Sequence, residues 1–138
     1  MAAPAWPQQA MAGVWAALAA PCLFAPEVVL HLCVREHARA PAAAPAPGAA
    51  GKDSRATERL LMRCFGAQAA VTALLLGTAR LDRAGYRVFA LAMLPFFAFD
   101  VAALRGGYLT RLGAAGDALG NAAFVALAAA GAGLLGGT

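Results

Sequence analysis

Apolar residues along this chain gather into four long runs instead of short alternating stretches. Leu60 to Ala79 reads LLMRCFGAQAAVTALLLGTA, with Arg63 its only charge. Val88 to Leu104 carries one charge, Asp100, and Gly116 to Leu135, GDALGNAAFVALAAAGAGLL, carries one as well, Asp117. A helix rises 1.5 Å per residue, so about 20 apolar residues cross a hydrocarbon core of about 30 Å. The three runs predict spanning helices at about 60–79, 87–104 and 116–135. Arg63 lies one turn inside its run, where its long stem can snorkel to the headgroups. Tyr86 and Arg87 before the second of these runs, with Arg105 and Tyr108 after it, have the character of interfacial anchors.

The first run is less regular. Residues 10–34 are mostly apolar, but Pro21 and Pro26 interrupt them, and Glu27 and His31 add polarity. Proline removes a backbone donor and kinks a helix, which membrane helices tolerate better than soluble ones. The pattern predicts a fourth spanning helix over 10–34, kinked by proline. A targeting segment is the competing reading. A secretory signal would need a basic start, which is missing, and Glu27, Glu36, Asp53 and Glu58 run against a transit peptide. Between the first two runs, ARAPAAAPAPGAAGKDSRATE has no hydrophobic period and predicts a flexible Ala/Pro/Gly linker over 38–57. Ser54 or Thr57 would cap the helix that follows, with Glu58 in its first turn. The other two connections, RLDRAGYR and RGGYLTRLGAA, are short. The expectation is therefore an all-α fold, a single integral four-helix transmembrane bundle over 1–138 running up and down.

Composition sharpens this picture. Of 138 residues, 62% are apolar and 13% charged, against about half and about a quarter in soluble domains. The length leaves no room for a separate catalytic domain. Net charge is +4, yet residues 1–34 and the last 27 residues contain no Lys or Arg. The cations punctuate the apolar runs, whereas a nucleic-acid binder would concentrate them on one face. Eight of them (Arg35, Arg39, Lys52, Arg55, Arg59, Arg63, Arg105, Arg111) fall on one side of the predicted bundle, and three (Arg80, Arg83, Arg87) on the other. The positive-inside bias places the eight, with the first linker, in the cytosol or its organellar equivalent. Cys22, Cys33 and Cys64 are odd in number, lack CxxC spacing and read as small apolar packers.

Candidate chemistry centres on Asp100. It lies about 9 Å deep from the Arg105–Gly107 turn, while Asn121 and Gln68 lie about 12 Å from the same face. Three polar side chains on three consecutive helices thus form one predicted layer. Thr72 shares a face with Gln68, and Asp117 shares one with Asn121, each pair being four residues apart. An ionised Asp in a spanning helix costs about 2.5–3.5 kcal/mol, while interhelical hydrogen bonds in membranes average below about 1 kcal/mol. Asp100 should therefore be protonated or paired, with Arg63 and Arg105 the nearest cations by depth. Two readings follow: a knot that fixes helix register or meets a partner, and a proton or cation pathway. Gly116 and Gly120 make a small-xxx-small pair, and Gly66 and Gly131 are further sites where helix backbones can approach.

Glu27 with His31, and Cys33 with His37, give a metal-like pattern, but the pairs sit on different faces and four convergent zinc ligands are absent. No GxSxG, Walker loop, dinucleotide fingerprint or HExxH occurs. The expectation is a non-enzyme without metal or cofactor.

The second and third helices carry a family resemblance. Arg63-Cys64-Phe65-Gly66 opens the second and Asp100 stands late in the third. In this the chain resembles the small four-helix endoplasmic-reticulum scaffold family of ergosterol biosynthesis. The resemblance implies a non-enzymatic tether that holds membrane enzymes together, in the endoplasmic reticulum or another organelle membrane. The reading that follows is a scaffold, assembly factor or accessory subunit, such as one in a respiratory or photosynthetic complex. Its partners would be the lipid bilayer and other membrane proteins or further copies of itself. The rival is a small oligomeric proton- or cation-linked transporter or channel-like protein that uses Asp100.

Overall fold

A computed structural model describes residues 5–35 and 50–135, with side chains from residue 55 onward in the second stretch. Five helices account for nearly all of it: α1 (Trp6–Phe24), α2 (Pro26–Cys33), α3 (Ala50–Thr78), α4 (Arg83–Arg105) and α5 (Arg111–Gly131). The described residues hold no strand, only an isolated antiparallel bridge between Val34 and Leu109.

Every boundary differs from the apolar run that predicted it, because caps set helix ends and hydrophobicity does not. Asp82 caps α4 by accepting from the Gly85 amide at 2.7 Å, four residues before Tyr86. Thr110 caps α5 in the same way at 2.9 Å, so this helix starts at Arg111 and not near 116. A side-chain oxygen that satisfies one orphan amide of the first turn decides where a helix can begin. α3 starts at Ala50, so residues 50–57 belong to a helix and not to the linker. Lys, Arg, Glu and Ala are good helix formers even where no apolar stripe marks them. Residues 38–49 of the expected linker, and His37, lie outside the described residues.

The proline-kinked first helix is two helices bent by 104°. Pro21 is accommodated inside α1, whereas Pro26 opens α2 at its first position. Between them Ala25 leaves the helical region (φ −135°, ψ 52°), and its amide closes the last bond of α1 to Pro21 O at 2.9 Å. With no N–H of its own, Pro26 cannot continue the ladder.

Packing joins two antiparallel pairs. α1 runs along α3, with Cys22 and Leu23 over Gly66 at one end and Gln8 bonded to Leu76, Ala79 and Leu81 at the other. α4 runs along α5, with the Tyr86 ring lying on Gly131. The pairs meet where α1 touches α5, and Trp15 stacks on Phe124 with ring centroids 5.0 Å apart. Met11, Leu76, Tyr86, Met93, Phe124 and Ala128 form the core there. Consecutive in sequence, α3 and α4 nevertheless pack far less on each other than α1 does on α3 or α4 on α5. Tyr86 is fully buried, so it is a core residue and not the interfacial anchor its neighbours suggested.

α2 folds back over the α4–α5 turn. Arg35 N–H donates to Tyr108 O at 3.0 Å and Thr110 N–H to Cys33 O at 2.9 Å. The Thr110 hydroxyl donates to Leu32 O at 2.6 Å, and Arg35 Nε to Leu109 O at 3.0 Å. An ion pair between Arg59 and Glu27 links α3 to α2.

Three helices are long and apolar enough to cross a membrane, or four if the bent α1–α2 pair counts as one span. Their outward faces carry Leu74, Leu75, Val88, Leu91, Leu112 and Leu119, all exposed. A contiguous apolar surface of this extent suits lipid and not water.

Candidate functional site

Tyr86, Met93 and Asp100 are all buried and recur every seven residues, so they form one stripe of α4 facing α5. Across the seam, α5 buries Asn121, Phe124, Ala128 and Gly131. Asp100 thus occupies a core position of a helix interface, not a lipid-facing one, and is only 5% exposed.

Asn121 is 5% exposed as well, and its Nδ2 donates to Asp100 Oδ2 at 3.1 Å. Asp100 Oδ1 is buried and has no donor among the described residues. Asp117 lies one turn before Asn121 on the same face of α5 and is exposed. At the end of α2, the Cys33 backbone lies against Gly113, one turn before Asp117. The polar cluster is therefore built from α4 and α5, with α2 over one end.

The other residues singled out in the sequence go elsewhere. Gln68 is exposed on α3, and the Thr72 hydroxyl bonds to the Gln68 backbone carbonyl at 2.9 Å, within its own helix. Neither bonds to Asp100 among the described residues, because α3 packs chiefly on α1. Equal depth in a bundle does not confer equal direction, and depth was all that sequence spacing supplied. Arg63 and Arg105 are exposed, and neither forms an ion pair with Asp100 among the described residues. Arg111 is the cation that the structure places beside it in a groove. It shares with Asp100 the wall of a groove of about 290 Å³, lined also by Val101, Leu104, Ala114 and Ala118.

The glycines divide into two sets. A Cβ on Gly66 would lie 2.9 Å from Cys22 Cβ, and one on Gly131 would lie 2.4 Å from the Tyr86 ring, so both serve packing inside the molecule. A Cβ on Gly116 or Gly120 would meet nothing within 4 Å.

Gln8 carries a role that the runs did not signal. Buried at the start of α1, it donates through Nε2 to Leu76 O at 2.5 Å and to Ala79 O, while its Oε1 accepts from Leu81 N–H at 3.0 Å. It closes the open end of α3, where carbonyls have no helical partner. The polar pair Gln8-Gln9 ahead of an apolar run was the available clue. Among the described residues, no three His, Cys, Asp or Glu side chains converge as a metal site.

Comparison with known proteins adds no family: the chain matches no protein-family model, no curated protein and no solved structure.

Proposed function

We propose that the chain crosses a membrane as a four-helix, up-and-down bundle and works there as a non-enzymatic scaffold, assembly factor or accessory subunit. It would bind other membrane proteins or further copies of itself through helix contacts inside the bilayer. The observation that carries this reading is the unfilled face of α5. Ala115, Gly116, Leu119, Ala122, Ala123 and Ala126 are exposed along it, and Gly116 and Gly120 have open space above them. In lipid, helices associate through close backbone approach, which such small residues permit. Internal packing does not use these positions, which leaves intermolecular packing as their physical use.

A transport pathway would need polar groups continuing through the bundle. Along the α4–α5 seam, the positions beyond Asp100 and Asn121 are Met93, Phe124 and Tyr86, all tightly buried. The polar cluster is an isolated layer, which favours the scaffold over the proton- or cation-linked transporter.

The test is native mass in mild detergent for wild type and for the Gly116→Leu/Gly120→Leu double variant. Wild type should run as an oligomer or with bound membrane partners. The variant should keep its helicity and unfolding midpoint yet run as a single protomer. A wild type that is already a lone protomer, or a variant indistinguishable from it in mass, would sink the proposal.

A further inference from the structure

We propose that the end of the bundle covered by α2 binds anionic phospholipid, with α2 lying in the headgroup layer. The inference rests on the reading that the chain crosses a membrane, and not on its role as a scaffold. It begins from the direction of α2. α1 packs along α3, one of the helices long and apolar enough to span, and α2 leaves α1 at 104°, close to a right angle. An axis turned so far from a spanning pair lies near the membrane plane. Arg35 N–H donates to Tyr108 O and Thr110 N–H to Cys33 O, which holds α2 against the α4–α5 turn. The Glu27–Arg59 ion pair holds it against α3. The elbow and the α4–α5 turn therefore meet at one level.

The side chains at this level suit a headgroup layer. On α2, Val28 and Leu32 are four residues apart and exposed, and so are Glu27 and His31. An apolar strip beside a polar one is the pattern of helices that lie in the interface. Phe24 at the elbow is 84% exposed and Tyr108 on the turn is 60% exposed, a placement that suits the aromatic belt of a bilayer. Cations converge on the same level. Arg55, Arg59 and Arg63 recur every four residues along one face of α3. Gly66, three residues past Arg63, receives Cys22 and Leu23 near the end of α1, so Arg63 stands level with the elbow. Arg105 closes α4, Arg111 opens α5 and Arg35 follows α2. Against these six stand Glu27, already paired with Arg59, then Glu58, and Asp117 further along α5. Arg55, Arg63, Arg105 and Arg111 are exposed and form no ion pair among the described residues. The opposite end has three arginines, Arg80, Arg83 and Arg87, beside Asp82. A basic surface at headgroup level attracts anionic lipid, and a guanidinium fork matches phosphate oxygens.

Spin-labelled lipids test this in phosphatidylcholine vesicles that hold the full chain, because lipid touching protein gives a slowed, separable spectrum. Labelled phosphatidylglycerol should associate with wild type several-fold more strongly than labelled phosphatidylcholine, and added salt should shrink the difference. The Arg55→Gln/Arg63→Gln/Arg105→Gln/Arg111→Gln variant should lose the preference, whereas Arg80→Gln/Arg83→Gln/Arg87→Gln should keep it. Equal association of the two lipids with wild type overturns the proposal, leaves the membrane reading standing and needs no variant to fold. Loss of the preference in the second variant also overturns it, since attraction would then follow net charge and not this end of the bundle. No slowed component for either lipid would refute the membrane reading, and this proposal with it. For the placement of α2, a headgroup-level spin label should broaden the Val28 and Leu32 methyl resonances more than a water-borne gadolinium reagent does. The reverse order would put α2 outside the headgroup layer and overturn its part in the site.

Discussion

Gly131→Ala should destabilise the protein through one identifiable clash. The added Cβ would fall 2.4–2.5 Å from three Tyr86 ring atoms, so the ring or the α5 backbone must move by about 1 Å to restore ordinary carbon contacts near 3.5 Å. Neither is free to do so. Tyr86 is 0% exposed, and Met93, Phe124 and Ala128 pack in the same cluster. Overpacking of this kind costs about 1–3 kcal/mol, and each 1.4 kcal/mol is a tenfold change in an unfolding constant. Gly116→Ala, whose Cβ meets nothing, is the control and should fall within about 0.5 kcal/mol of wild type. The assay is reversible unfolding in mixed micelles, followed by helicity. A double-mutant cycle locates the cause, because in a Tyr86→Ala background Gly131→Ala should become nearly neutral. A Gly131→Ala cost that is absent in wild type, or unchanged without the ring, would refute the packing described here.

Gln8→Leu should cost about 2–4 kcal/mol, since it strands buried groups at the end of α3, each worth about 1–3 kcal/mol; Gln8→Glu should rescue little, because Leu76 O and Ala79 O need a donor. Unfolding in micelles checks both, and a neutral Gln8→Leu would contradict the cap. Thr110→Val should cost about 1–3 kcal/mol by removing the α5 cap and the tie to Leu32. Amide exchange of Val29–Cys33 should quicken with it, and Thr110→Ser should restore wild-type exchange; equal exchange in Thr110→Val would show that α2 is held by other contacts.

The apolar runs made the helices legible and left their ends illegible. Hydrophobicity reports what a lipid-like environment will accept, whereas Asp82 and Thr110 start α4 and α5 through single hydrogen bonds just upstream of the greasy residues. Both are capping residue types in loops that the sequence had already marked as turns. The Asp100–Asn121 bond joins residues that sequence spacing had placed at similar depth. Gln68 had equal standing by depth and went elsewhere, because which helices pack together is a property of whole faces. α3 turns its small residues, Gly66 and Ala69, toward α1, and that choice carries Gln68 outward. Gln8 was hidden for a different reason. Its partners are backbone carbonyls about seventy residues away, and carbonyls leave no mark in a sequence.

Pro26 and the first turn of α5 are connected through α2. If the first run continued straight beyond Phe24, α2 would extend α1 along the bundle, and nothing would lie over the start of α5. The break at Ala25 instead turns the chain through 104° and sets Cys33 against Gly113, where a side chain on residue 113 would lie 2.6 Å from Cys33 O. The contact is backbone on backbone and holds α2 one turn from Asp117. The elbow that breaks the first helix therefore also sets what lies over the first turn of α5. A chain that folded α1 and α2 as one straight span would lose this backbone approach, together with the bonds from Arg35 N–H to Tyr108 O and from Thr110 N–H to Cys33 O.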